Sequence, residues 1–122
     1  MIGVGVDMVS IQQMTYLMEL DAFVRRTFTE REIEAFRPAP NQVEYLATHF
    51  VAKEAVFKAL AHFTKEKRFD MRIVESLRDA DGFPYIVISE KLRCLMKEAR
   101  ASALSVSIST ENNLAISFVV AE

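Results

Sequence analysis

From Gln42 to Phe63 the chain has no proline or glycine, and the segment His49–Leu60, HFVAKEAVFKAL, sets Lys53, Glu54 and Lys58 among eight apolar residues. At 3.6 residues per turn the apolar residues cover most of the circumference, so the helix belongs at the centre of a fold rather than on its surface. Glu54 and Lys58 lie on one face, a turn apart. Their spacing fits an exposed i,i+4 ion pair. It also fits a carboxylate that holds a hard cation beside an ammonium that neutralises phosphate, provided a second carboxylate comes from elsewhere. Asp7 is the candidate for that second carboxylate.

With 122 residues, 51% of them hydrophobic, the chain is long enough for one core and too short for two ordinary domains, so residues 1–122 are expected to form one domain. A formal net charge of -2 without a basic tract gives no argument for nucleic acid. One cysteine, Cys94, excludes an internal disulfide, fits a reducing compartment and reads as a packed helix position. No apolar run approaches the roughly 18 residues that a membrane span needs. A soluble, cytoplasmic protein is expected.

Taken in order, MIGVGVDMV alternates Ile2, Val4 and Val6 with Gly3, Gly5 and Asp7, the period of a strand with one apolar and one small face. A glycine face admits close approach by another backbone or a ligand. Ser10 is placed to cap a helix through Ile11, Met14, Leu17 and Met18, and a short helix near Asp21 carries Phe23, Arg25 and Arg26. Thr29 and Glu32 have capping-box spacing, and Pro38 and Pro40 separate that helix from the central one, which starts near Asn41. Phe69–Leu77 and Pro84–Ser89, joined by Asp79–Gly82, read as a hairpin, and Glu90–Arg100 as a helix. Leu104–Ser109 and Leu114–Ala121 form a second hairpin about Glu111–Asn113, with Ser105, Ser107 and Ser109 on one polar face. The expected fold class is α+β, an antiparallel sheet of the first strand and both hairpins packed on the long central helix, with Phe50, Phe57 and Phe63 in the core. His49 and His62 are too far apart on the helical run for a zinc pair.

Ile2-Gly3-Val4-Gly5-Val6-Asp7, Phe28-Thr29-x-x-Glu32, Phe50-x-Ala52-Lys53-Glu54-Ala55-x-x-Lys58-Ala59-Leu60, Gly82-x-Pro84 and Ser107-x-Ser109 follow one another in an order and spacing that resembles the small holo-acyl-carrier-protein synthases of the 4'-phosphopantetheinyl transferase superfamily. The block around Lys53-Glu54-Ala55 is the specific part. The resemblance implies a 4'-phosphopantetheinyl transferase-like fold. It also implies an enzyme that moves the 4'-phosphopantetheine arm of coenzyme A onto a serine of an apo-acyl carrier protein, releasing adenosine 3',5'-bisphosphate, in fatty acid and lipid biosynthesis. By the same resemblance Asp7 and Glu54 hold a Mg²⁺ that also binds the coenzyme pyrophosphate, Glu54 and Lys58 are catalytic, and Lys58, Ser109, Thr110 and His49 contact the coenzyme. The family is commonly trimeric with sites at subunit boundaries, so a homotrimer is expected. The alternative is a relative that binds coenzyme A or a carrier protein without transfer.

Four positions depart from the family's pattern. Ser109-Thr110 stands where Ser-His is usual, and threonine cannot titrate near neutrality. His49 replaces a permanently charged arginine. Ala61-His62-Phe63-Thr64 replaces a glycine-rich turn, which implies a reshaped loop or a longer helix. Gln13 replaces an arginine that faces the carrier protein, leaving Arg25 and Arg26 as candidates for that contact.

Overall fold

The structure is a computed structural model that describes residues 3–122; Met1 and Ile2, the start of the expected first strand, lie outside the described residues. Strand β1 (Gly3–Ser10) leads into helices α1 (Ile11–Met18), α2 (Asp21–Thr27), α3 (Glu30–Phe36) and α4 (Gln42–Ala61). A 3-10 turn at Met71–Ile73 precedes β2 (Glu75–Arg78) and β3 (Pro84–Val87), followed by α5 (Glu90–Glu98), β4 (Leu104–Glu111) and β5 (Leu114–Ala121).

The caps read from the sequence are made. Ser10 Oγ accepts from Gln13 N, and Thr29 and Glu32 form both halves of the capping box. Asn41 Oδ1 accepts from Glu44 N and starts α4. The expected single sheet is instead two. An antiparallel three-stranded sheet has the order β1-β5-β4, and β2-β3 pair only with each other. The first hairpin is also shorter than its apolar alternation suggested. Asp70 Oδ1 accepts from Arg72 N and winds Met71–Ile73 into the 3-10 turn, so pairing begins only at Glu75.

The three-stranded sheet lies on α4 through its glycine face. A Cβ at Gly5 would stand 2.0 Å from the Ala55 carbonyl oxygen, and one at Gly3 2.3 Å from that of Ala59. Those clashes rule out any side chain at either position, so strand and helix meet backbone to backbone. The next inward residue of β1 is Asp7, which the Gly–Ala contact holds close to α4. The apolar alternation of β1 faces away from the helix: Val4, Val6 and Met8 are exposed, as are Leu114, Ile116 and Phe118 of β5.

Two apolar clusters flank α4. One joins Ala55, Val56 and Leu60 to β5 and α5, with the rings of Phe57 and Phe69 5.0 Å apart and Phe63 packed against it. The other joins Leu46, Ala47 and Val51 to Met14, Phe28 and Phe36, with Phe50 at its edge. Cys94 is exposed on α5, which turns Leu92 and Met96 to the core instead. Among the described residues no helix is long and apolar enough to cross a membrane.

Candidate active site

Asp7, Glu54 and Lys58 come together where β1 crosses α4. Lys58 Nζ donates to Asp7 Oδ1 at 2.9 Å, so its ion pair is with the strand carboxylate and not with Glu54 a turn away, as spacing alone allowed. Glu54 is half-buried and, among the described residues, accepts no side-chain hydrogen bond. Burial raises its pKa, the Asp7 carboxylate raises it further, and Lys58 opposes both. A half-buried carboxylate with free lone pairs beside a second carboxylate is a site short of positive charge.

Among the described residues no group of three or more His, Cys, Asp or Glu side chains is preassembled to hold a metal. Magnesium keeps several waters and takes one or two carboxylates together with substrate phosphates, and Asp7 and Glu54 supply that donor set.

Lys53, next in sequence to Glu54, points elsewhere. It is fully buried, donates to Glu32 Oε1 at 2.6 Å and lies 5.1 Å from the centre of the Phe28 ring. Glu32 Oε1 also accepts from Thr29 N and Oε2 from Ser76 N, so one carboxylate caps α3, pairs with α4 and anchors β2. Burial pushes Glu32 up and Lys53 down, each opposed by the other's charge. The sequence reading gave Glu32 a capping role and Lys53 none. The signal was present: residues 53 and 54 are 100° apart on a helix, so adjacent charges there cannot serve one face.

His49 is buried on the far side of α4 from Glu54, with Nδ1 2.8 Å from Ser76 Oγ and Nε2 3.2 Å from Arg78 Nε. Burial first, and the Arg78 charge second, lower its pKa to about 3. Ser109 is exposed on the outer face of β4. Thr110 turns to the inner face, where its hydroxyl donates to Glu44 Oε1 at 3.3 Å. Thr110 pairs with Ala115 opposite Val9, whereas Asp7 pairs with Ser117. That register puts Thr110 two strands and two residues from Asp7, about 12 Å at ordinary sheet spacings. One copy of the chain therefore unites Asp7, Glu54 and Lys58 and leaves His49, Ser109 and Thr110 outside that cluster.

Only the first residue of the Ala61–Thr64 segment is helical, with His62 as the cap residue. α4 ends at Ala61, and Lys67 Nζ donates to the carbonyls of Ala61 (2.8 Å) and Thr64 (2.6 Å), closing the end that glycine closes elsewhere.

A family model described as the 4'-phosphopantetheinyl transferase superfamily matches residues 3–119. A holo-[acyl-carrier-protein] synthase of Clostridium botulinum (strain Alaska E43 / Type E3) is 34% identical over 121 residues, covering 98% of this chain and 96% of its own length. One from Fusobacterium nucleatum subsp. nucleatum is 30% identical over 120 residues, covering 98% and 97%. Among solved structures, the holo-[acyl-carrier-protein] synthase of Neisseria meningitidis superposes with a TM-score of 0.86 at 34% identity, covering 98% of this chain and 97% of its own. That of Bacillus anthracis str. Ames, solved in complex with CoA (3',5'-ADP), does so with 0.75 at 26% identity, covering 98% and 94%. With the family match spanning Asp7, Glu54 and Lys58, this chain belongs to the 4'-phosphopantetheinyl transferase superfamily.

Proposed function

We propose that the chain is a holo-acyl-carrier-protein synthase that transfers the 4'-phosphopantetheine arm of coenzyme A to a serine hydroxyl of an apo-acyl carrier protein, with Mg²⁺ held by Asp7 and Glu54. The observation that carries this reading is the unpartnered, half-buried Glu54 facing Asp7, in a chain of this superfamily. In the reaction the serine oxygen bonds to the phosphorus that bears the pantetheine arm. The bridging P–O bond breaks, and adenosine 3',5'-bisphosphate leaves with the electron pair. Bound magnesium supplies neutralisation of the charge that develops on the phosphoryl and leaving oxygens.

Lys58, partly exposed beside Asp7, adds a cation directed at the same phosphates. With Glu54 holding the metal, the serine proton would pass to a water beside that carboxylate as the new bond forms. Arg25 and Arg26 on α2 offer basic contacts to an acidic carrier protein, although Arg25 also pairs with Asp21. Thr110 brings a hydroxyl without a titrating group, so it contributes a hydrogen bond and no proton transfer.

A homotrimer is part of the proposal. The outer face of the β1-β5-β4 sheet exposes Val4, Val6, Met8, Leu114, Ile116 and Phe118 as one patch, which in water favours burial against another copy. Assembly also offers a way for Ser109 and Thr110 of one protomer to approach the carboxylate cluster of another.

Intact-mass analysis of apo-acyl carrier protein, incubated with this chain, coenzyme A and Mg²⁺, tests the reading. A metal-dependent gain of one phosphopantetheine arm is expected. Coenzyme A binding with no gain on several carrier proteins would replace the transferase by a binding subunit. Phe118→Glu, which puts a charge in the centre of the outer patch, is expected to lower the mass measured by light scattering to that of a smaller species.

A further inference from the structure

Arg78, the last residue of β2, is exposed, yet its side chain is fixed at four points. Nε donates to His49 Nε2 at 3.2 Å, one terminal nitrogen donates to the Gly82 carbonyl at 3.0 Å, and the other to Thr48 Oγ1 at 3.3 Å. The guanidinium carbon lies 5.7 Å from the centre of the Tyr45 ring. None of these partners is an anion. Among the described residues the ion pairs use Arg25, Arg31, Lys53, Lys58 and Arg72, and Arg78 takes part in none of them. Glu44 and Glu34 line the clefts on either side of it without bonding to it.

The geometry also settles how His49 is protonated. Arginine has only donors, so His49 Nε2 accepts and Nδ1 carries the hydrogen, donating to Ser76 Oγ. With a pKa of about 3 the ring stays neutral at physiological pH, and the acceptor is always present. A buried imidazole thus fixes an exposed guanidinium whose charge no carboxylate takes up. Of the five N–H groups three are used, which leaves one free on each terminal nitrogen, the fork that grips two oxygens of a phosphate.

The guanidinium borders two clefts. One, of about 240 Å³, includes Pro40, Asn41 and Glu44. The other, of about 390 Å³, includes Arg31, Leu77 and Tyr85. Thr110 bonds to Glu44, so the end of β4 reaches the border of the first cleft. We propose that Arg78, held by His49 as its positioning residue, binds the ribose 3'-phosphate of coenzyme A.

The choice of anion follows from position and charge, and it rests on the transferase reading above. The pyrophosphate of coenzyme A is the reacting group and belongs with Asp7, Glu54 and Lys58. Thr48 precedes Glu54 by six residues, about 9 Å along the axis and well round the helix, so Arg78 faces a different anion. The 3'-phosphate is the remaining one, and as a monoester it concentrates about −1.5 to −2 charge on a single phosphorus for a lone guanidinium.

The test is calorimetric binding of coenzyme A and of 3'-dephospho-coenzyme A, in Mg²⁺, to the unmodified chain and to Arg78→Ala, His49→Leu and His49→Gln. The unmodified chain is expected to prefer coenzyme A by about tenfold to a hundredfold, the range of one charged hydrogen-bonded contact. Arg78→Ala, at an exposed position, is expected to erase that preference while leaving the dephospho form within about twofold. His49→Leu is expected to reproduce most of the loss, and His49→Gln, which keeps an acceptor towards Arg78, to restore much of it. Equal weakening of both coenzymes by Arg78→Ala overturns the proposal, as does a loss confined to carrier-protein affinity. Should the unmodified chain bind both coenzymes equally, only this proposal fails; should it bind neither, the transferase reading fails with it.

Discussion

Lys53 and Glu54 are adjacent on α4 and are used in opposite ways. Lys53 and Glu32 are 0% and 2% exposed and satisfy each other, with two backbone donors also bonded to the carboxylate. Lys58 and Asp7 are 53% and 17% exposed, and the neighbouring Glu54 is left without a hydrogen bond among the described residues. The first group holds α3, α4 and β2 in register. The second leaves negative charge unspent beside solvent. A buried ion pair that is complete contributes to the uniqueness of the fold, whereas an incomplete one at the surface is free to take a ligand.

The largest effect that separates the two regions should come from Lys53→Met. It strands the Glu32 carboxylate in the core, and removal of one partner from a buried pair costs about 3–5 kcal/mol. Denaturant unfolding should show that loss as a lower midpoint. The double variant Glu32→Gln with Lys53→Met should recover part of it. Additive losses in that cycle would mean that the two side chains are not coupled, and the comparison would fail.

Next in size is the reverse experiment. Glu54→Gln should leave the unfolding midpoint nearly unchanged or higher, because it removes one member of a repelling pair, while Asp7→Asn relieves the same repulsion but gives up the partly exposed Lys58 pair, so its midpoint should change little. Transfer should fall by at least about a hundredfold if metal and phosphate binding supply several kcal/mol of transition-state stabilisation. Mg²⁺ titration followed by calorimetry should show the metal site weakened in both variants. An active Glu54→Gln enzyme would assign the chemistry elsewhere.

Proton linkage sharpens the contrast without any substrate. The folded-state pKa of Glu54 is raised above 4.5, first by burial and then by Asp7. The folded chain therefore holds that proton to higher pH than the unfolded chain does, and Glu54 favours folding most at low pH. This contribution is lost as pH rises from 4.5 through the raised value. Asp7→Asn removes the second cause and should move the Glu54 carboxyl titration, read by NMR, downward. Lys58→Met removes the opposing charge and should move it upward. Shifts of the opposite sign would show that the three side chains do not form one electrostatic unit.

Much of this was legible in the sequence because it is local. The Ser10 and Thr29 caps, the start of α4 near Asn41, the glycine face of β1 and the Asn112 turn, which takes a φ of 55°, depend on residues a few positions apart. The pairing of Asp7 with α4 was also legible, since Gly3 and Gly5 imply close approach and Asp7 follows in phase. What escaped were partners chosen by tertiary contact. Lys58 prefers Asp7, 51 residues away, to Glu54 one turn away. Glu32 serves as a cap and as the partner of a lysine 21 residues on. The short first hairpin reflects one aspartate, Asp70, whose turn delays the start of a strand that apolar alternation alone would have begun earlier.

The smallest expected effect is the control for both regions. Arg25 and Asp21 form an i,i+4 pair on α2 with side chains 77% and 80% exposed, so water and salt screen what the 2.9 Å contact provides. Arg25→Ala should change unfolding free energy by no more than about 0.5 kcal/mol, and less at high ionic strength. The same variant probes α2 as a carrier-protein contact, because an acidic partner senses the lost charge even though the fold does not. Its signature is a rise in the KM for the carrier protein that shrinks with added salt, at unchanged KM for coenzyme A. If Arg25→Ala costs as much stability as Lys53→Met, burial is not what distinguishes the ion pairs of this molecule. The different fates of Lys53 and Glu54 would then need another cause.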